Sequence, residues 1–280
     1  MAIITFKSNE LKETGQTLSL VAIATQFAIE HNYKILIVST NFKDQTLENC
    51  FWELDKLNRP IIRNNTSHAS IGVDSGVDGL IRVLASNKTN PEIVKNYSKI
   101  ILRNRLDVLL SPSTQNYQEY TQICENFPEI LQIADRYYDL VFVDLSSRMQ
   151  EQQAQDILSI SDLIIFNITQ RLKNINDFME LRENDETYKK RNVLLLLGRY
   201  DSHSKYNVKN VTRYLRERKL ILAIPYNTLY FEACSEGKVI DFFLKLKNVD
   251  INDRNHLFIN EVNRANETVI YKLQELQMKI

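Results

Sequence analysis

The chain has 280 residues, 44% hydrophobic and 25% charged, which fits a globular protein long enough to bury a substantial core. Its 35 lysines and arginines balance 35 aspartates and glutamates, so no whole-molecule field argues for nucleic acid or membrane as a partner, although a local basic patch stays open. Cys50, Cys124 and Cys234 are odd in number and far apart, which argues against a disulfide framework or metal-ligand spacing and fits free thiols in a reducing compartment.

In chain order, residues 2–6 (AIITF) predict a short buried strand, followed by a polar loop over 7–16. Residues 17–31 carry apolar side chains close to helical spacing, and residues 34–38 (KILIV) predict a second buried strand. This strand–loop–helix–strand unit opens a parallel α/β sheet. Residues 43–57 read as a helix, 58–76 as polar and irregular, and 78–86 and 91–101 as two further helices. A strand at 106–110 stops at Ser111-Pro112, and a largely helical stretch at 117–138 is interrupted near Pro128. Strands at 140–144, 163–167, 192–197 and 220–224 alternate with helices at 150–160, 174–183 and 208–216, and residues 230–280 form a tail of two or three helices.

The strands are continuously apolar rather than alternating, the mark of burial on both faces. The expected fold is α/β, a doubly wound, mostly parallel sheet with helices on both faces. No repeat, low-complexity tract or linker divides the chain, so residues 1–280 read as one domain with a helical C-terminal tail from about 230. The apolar start Met1–Phe6 is too short for a secretory signal and lacks its basic lead. No stretch reaches the ~20 apolar residues of a membrane span. The expected location is cytoplasmic.

The loop after the first strand is the main candidate site. A phosphate-binding loop there needs backbone N–H groups, a helix N-terminus, a lysine for charge and a Ser or Thr hydroxyl for magnesium. Leu11-Lys12-Glu13-Thr14-Gly15-Gln16-Thr17 offers Gly15 and Thr17 at the last glycine and hydroxyl positions. Gln16 stands where the lysine belongs, and Glu13 puts a negative charge where a glycine belongs. With only 6 glycines in the chain, the local pattern alone fits an unrelated polar loop equally well.

The sequence resembles the ParA/MinD family of deviant P-loop ATPases along most of its length. TLSLVAIATQFA is similar to the family's helix after the loop, and KILIVSTNF to its second strand, with Ser39 and Asn41 at the acidic positions. YYDLVFVDLSS resembles the switch strand and retains Asp144, and SDLIIFNITQ resembles the next strand. LLLLGRYD and IPYNTLYFEACSEGKVIDF resemble the segments around the nucleotide base. Within the family the resemblance points to the TadZ (CpaE-like) branch, which helps position pilus-secretion machinery and often carries atypical phosphate loops.

The resemblance implies ATP with Mg as cofactor. It places Lys12, Glu13, Thr14, Gly15, Gln16, Thr17, Arg199, Asp201 and Pro225 around the nucleotide, Thr17 and Asp144 at magnesium, and Asp144 as the catalytic switch carboxylate. A helix N-cap or loop carboxylate is the plain alternative for Asp144, and helix capping for Thr17. The family's signature lysine aligns with Leu11, one residue before Lys12. Ser39 replaces the aspartate that helps place attacking water; Asp44 reads as a stand-in for it or as a helix start. Gln16 in place of lysine removes a charge-assisted contact of about 1.5–3 kcal/mol but keeps a donor for phosphate. Binding then survives at reduced affinity while hydrolysis, which needs charge stabilisation, suffers more.

Arg199, Tyr200, Asp201, His203, Lys205, Tyr206 and Lys209 form a basic and aromatic run that reads as a solvated face or as a partner or nucleic-acid surface. Lys189-Lys190-Arg191 and Arg213, Arg216, Arg218 and Lys219 are candidates to extend it. His31, His68 and His256 lack ligand spacing. The resulting functional expectation is a homodimeric positioning scaffold, nucleotide-responsive or nucleotide-independent, serving pilus or secretion machinery and recruited to a pole or to membrane machinery. The alternatives are an active partition ATPase on non-specific DNA and an interaction module with a vestigial nucleotide site. Tyr117, Tyr120, Tyr137 and Tyr138 are candidate dimer anchors, with core packing their ordinary use.

Overall fold

The computed structural model describes residues 1–10, 14–52, 76–84, 90–189, 192–217 and 219–277. Lys12 and Glu13 of the loop, residues 53–57 of the expected helix, most of the irregular 58–76 stretch, His68, Lys190, Arg191 and Arg218 lie outside these.

Eight strands form one sheet: β1 Ala2–Lys7, β2 Ile35–Ser39, β3 Lys99–Leu102, β4 Leu106–Leu109, β5 Leu140–Asp144, β6 Leu163–Ile168, β7 Val193–Tyr200 and β8 Leu222–Pro225. Their spatial order is β3-β4-β2-β5-β1-β6-β7-β8. Every pairing is parallel except β3 with β4. The chain thus winds outward in both directions from β1 and β5, the arrangement that leaves a crevice at the strands' C-terminal ends.

The strand pattern follows from burial on both faces. In β1, Ile4 and Phe6 enter the core on one face and Ile3 the core on the other. The first face is covered by α1 (Gln16–Glu30), α11 (Thr228–Ser235), α12 (Val239–Lys245) and α13 (His256–Gln277). Phe27, Tyr230, Phe242, Phe243, Phe258 and Val262 fill that layer. The opposite face is covered by α3 (Gly76–Leu84), α4 (Ile93–Tyr97), α5 (Tyr117–Cys124), α6 (Phe127–Asp135), α7 (Glu151–Ser159), α8 (Leu172–Asn184) and α10 (Val208–Leu215). Two short helices complete the described elements, α2 (Thr46–Asn49) and α9 (Glu186–Lys189). Each fully buried Leu, Ile or Phe contributes about 1.5–3 kcal/mol on these two layers, so neither strand face tolerates a polar stripe.

One local expectation is corrected and another is refined. The helix expected over 91–101 ends at Tyr97, and Lys99–Leu102 is an edge strand in a hairpin with β4. The hairpin turns through Asn104, whose φ of 60° asparagine tolerates better than most side chains. The 117–138 stretch is two helices, with Pro128 in the first turn of the second, where its missing N–H costs nothing. Tyr120 and Tyr138 are fully buried, their hydroxyls donating to Thr40 O at 2.8 Å and Asp107 Oδ2 at 2.8 Å, so both are core residues and not surface anchors.

Candidate nucleotide cleft

The β1–α1 loop, the ends of β2 and β5, and the β7 and β8 exits meet at the C-terminal edge of the sheet. They enclose a cavity of about 480 Å³ lined by Thr14, Gly15, Gln16, Thr17, Asn41, Asp44, Leu145, Arg199, Pro225, Tyr226 and Phe231, among others. That volume lies within the ~300–1,000 Å³ usual for small-molecule sites.

Gly15 makes the turn into α1 at φ 75°, a left-handed conformation that costs a side-chain-bearing residue about 1–2 kcal/mol. A Cβ there would also meet Arg199 Cγ at 2.9 Å. The first backbone bond of α1 runs from Ser19 N–H to Gly15 O at 2.8 Å, and Gln16 N–H goes to Thr14 Oγ1 at 3.2 Å. The N–H groups of Thr17 and Leu18 have no acceptor in the helix, and both residues line the cavity. A helix N-terminus of this kind favours an anion.

The loop is held from β6 and β7. Asn167, fully buried, donates from Nδ2 to Thr14 O at 2.8 Å. Gly198 lets β7 come against it: a Cβ there would lie 2.3 Å from Thr14 O. Arg199 then turns with φ 51° and brings its guanidinium to 6.0 Å from the Tyr226 ring centroid, beside Phe231. Tyr226 and Phe231, 52% and 49% exposed, form an aromatic wall at the mouth, suited to stacking a flat base.

Asp144 lies at the bottom with no solvent exposure. Its Oδ1 accepts from Gln16 Nε2 at 2.7 Å, and its Oδ2 accepts from Thr17 Oγ1 and Asn41 Nδ2, both at 2.7 Å. All three donors are neutral. Burial pushes the Asp144 carboxyl above its ordinary range, the bonds from Gln16, Thr17 and Asn41 pull it back, and the Asp44 charge adds to the rise. Gln16 Nε2 also donates to Leu145 O at 3.0 Å. An amide nitrogen has two hydrogens, so Gln16 keeps none for a phosphate, which corrects the expectation that it offers one.

Asp44 lines the cavity, but its Oδ1 accepts from Thr46 N–H at 2.9 Å and from the Thr46 hydroxyl, the role of a helix start. Ser39 is fully buried, and its Oγ accepts from Asn41 at 3.4 Å. Asp201 is not among the lining residues: Gln170 staples the 200–206 turn, accepting from Asp201 N–H at 2.7 Å and donating to Asp201 O and Tyr206 O at 2.9 Å. Lys219 donates to Val193 O at 3.0 Å, at the opposite end of β7 from Arg199, so these parts of the basic run do not converge on one surface.

The residues fit a nucleotide better than a magnesium ion. Helix N–H groups, including that of Thr17, with Arg199 and the aromatic wall suit phosphate and base. Asp144 has three of its roughly four lone-pair sites committed and no water access, so it has little left to hold a hydrated cation. Among the described residues no cluster of three or more His, Cys, Asp or Glu side chains is placed to hold a metal.

The topology and this cleft define a ParA/MinD-type P-loop NTPase fold. No family model and no curated protein matches the chain. Solved structures do. A ParA family ATPase from Chlorobium tepidum superposes with a TM-score of 0.67 at 18% identity, over 94% of this chain and 98% of that one. The septum site-determining protein MinD of Pyrococcus horikoshii, complexed with Mg-ADP, gives 0.64 at 15%, over 97% and 98%. A chain described as a plasmid partition protein from Borrelia burgdorferi, bound to AMPPNP, gives 0.58 at 16%, over 99% and 98%. No helix among the described residues is long and apolar enough to cross a membrane.

Proposed function

We propose that the protein is a dimeric positioning scaffold that binds a nucleotide without turning it over efficiently. One observation carries the reading: Asp144, the carboxylate a hydrolytic site would use to organise magnesium, has three of its roughly four lone-pair sites taken by neutral protein donors and is sealed from water. Phosphoryl transfer relies on positioning and on positive charge placed against the transferring group. Gln16 supplies no charge and has no donor left, and Glu10 and Asp44 add negative charge to the cleft lining.

Nucleotide binding is supported by the α1 N-terminus, Arg199 and the Tyr226–Phe231 wall. Solved structures of this fold hold Mg-ADP and AMPPNP. Lys12 is proposed to approach the partner subunit in the dimer. The resemblance to the TadZ branch makes pilus or secretion machinery the proposed cargo, with recruitment to a pole or to membrane-bound components.

Calorimetric titration with ATP, with and without magnesium, tests the reading. The expected result is binding about 10- to 100-fold weaker than with an intact lysine, and little changed by EDTA. Magnesium-dependent hydrolysis that disappears in Asp144→Ala would overturn it.

A further inference from the structure

A second cavity, about 230 Å³, lies at the other edge of the sheet, where β2 and β4 begin. Its lining includes four cations, Lys34, Lys95, Arg103 and Arg105, drawn from the start of β2, from α4 and from the β3–β4 turn. The lining carboxylate is Asp107. Asp139 sits nearby, its Oδ2 accepting from the Lys34 backbone N–H at 2.8 Å. Among the described residues none of the four cations forms a salt bridge. In a chain of net charge zero, four cations around one small cavity outnumber the carboxylate that lines it, Asp107, whose charge Lys95 feels, and leave a local excess of positive charge.

We propose that this cavity binds the phosphate group of a small phosphorylated molecule. Three of the four charged groups are held in place. Lys34 Nζ lies 5.0 Å and Lys95 Nζ 5.8 Å from the centroid of the same Tyr137 ring, so both ammoniums are positioned by one aromatic group. Arg105 is tied by a hydrogen bond from Nη1 to His31 O, which leaves other guanidinium N–H groups for an oxyanion. Asp107 is turned inward: it is buried and its Oδ2 accepts from the Tyr138 hydroxyl at 2.8 Å. The cavity is below the ~300–1,000 Å³ of sites that enclose whole ligands, so it suits phosphate or pyrophosphate better than a complete nucleotide. A concave site of this size also fits a small anion better than the long backbone of a duplex, which needs an extended basic track. The site is independent of the nucleotide cleft, which occupies the opposite strand ends.

Amide-resolved NMR titration of the full chain with inorganic phosphate and pyrophosphate tests this. The α1 start can also take pyrophosphate, so the readout must separate the two sites. The expected result is saturable shifts at residues 34, 95, 103–107 and 137. The double variant Lys34→Gln/Arg103→Gln, both exposed positions, should weaken that set about tenfold or more while shifts at residues 17–19 persist. Asp107→Asn keeps an acceptor for Tyr138 and removes the negative charge, so it should tighten pyrophosphate at this site several-fold. No shift at residues 34, 95, 103–107 and 137 up to about 10 mM ligand, or shifts unchanged in the double variant, overturns the proposal. Duplex DNA displacing pyrophosphate with a strong length dependence also overturns it, by assigning the face to nucleic acid.

Discussion

Asp144 is a buried carboxyl kept in place by an amide, a hydroxyl and a second amide, with no charge among them. Gln16 is the hinge of this arrangement, because its one nitrogen satisfies both Asp144 Oδ1 and Leu145 O. Gln16→Glu would face two acceptors with a third and set a second carboxylate against Asp144. The expected cost is about 3 kcal/mol or more at neutral pH, read as a lower urea midpoint. Gln16→Lys would give Asp144 a counter-ion in the same place. It should hold or raise stability and improve ATP binding more than turnover, because Asp144 takes part of the new charge and Ser39 still leaves no acidic group to place water. A midpoint in Gln16→Glu equal to wild type would show that the network does not stabilise the fold. The sequence made Asp144, Gly15 and Thr17 legible because they sit at strand and helix ends in a recognisable run. It did not make legible that Asn41, 103 residues from Asp144, completes the carboxyl's shell, or that Asn167 clamps Thr14 across 153 residues. Such contacts depend on which strands become neighbours, which local pattern does not encode.

At the level of elements, the central strands were readable because both faces are buried and their apolar runs are uninterrupted. The four-residue β3 was not, because it is a half-exposed edge strand next to a helix turn, with Ile100 56% exposed. The exit of β7 shows how an element shapes the cleft. Gly198 is needed there for close approach and not for a special φ, since its missing side chain admits Thr14 O and the Asn167 amide. Gly198→Ala places a Cβ 2.3 Å from a backbone oxygen, so either the β1–α1 loop or β7 must move. The expected outcome is a stability loss of about 1–3 kcal/mol. Nucleotide affinity should fall as well, because the loop displaced is the one that presents the Thr17 and Leu18 N–H groups. Urea denaturation beside ATP titration checks both, and an unchanged affinity would mean that the loop does not form the binding surface.

For the whole molecule, the proposed dimer would set the cleft edge of one copy against that of a second. The loop after β1, the Tyr226–Phe231 wall and the start of α5 all lie on that edge. There Tyr117, Tyr226 and Phe231 are 45%, 52% and 49% exposed, while of the other candidate anchors Tyr120 and Tyr138 are spent in the core and Tyr137 lines the cavity at the opposite strand ends. Tyr117 is fixed in place by its hydroxyl bond to Arg148 O at 3.0 Å, which lowers the entropy lost when it is covered. With a neutral chain, long-range repulsion does not oppose self-association. If Asp144 is satisfied without magnesium, nucleotide is not needed to organise this edge, and the dimer should form in its absence. A stable interface requires about 1,200–2,000 Å² of buried surface, with aromatic residues near its centre carrying a large share of the energy. Light scattering over a concentration series should therefore show the same monomer–dimer equilibrium with and without Mg-ATP. The double substitution Tyr226→Glu/Phe231→Glu should raise the dissociation constant at least about tenfold, since each hot-spot aromatic is worth about 2 kcal/mol or more. A monomer at all concentrations, or a dimer seen only with Mg-ATP, would remove the scaffold reading and return the protein to the switching ATPases.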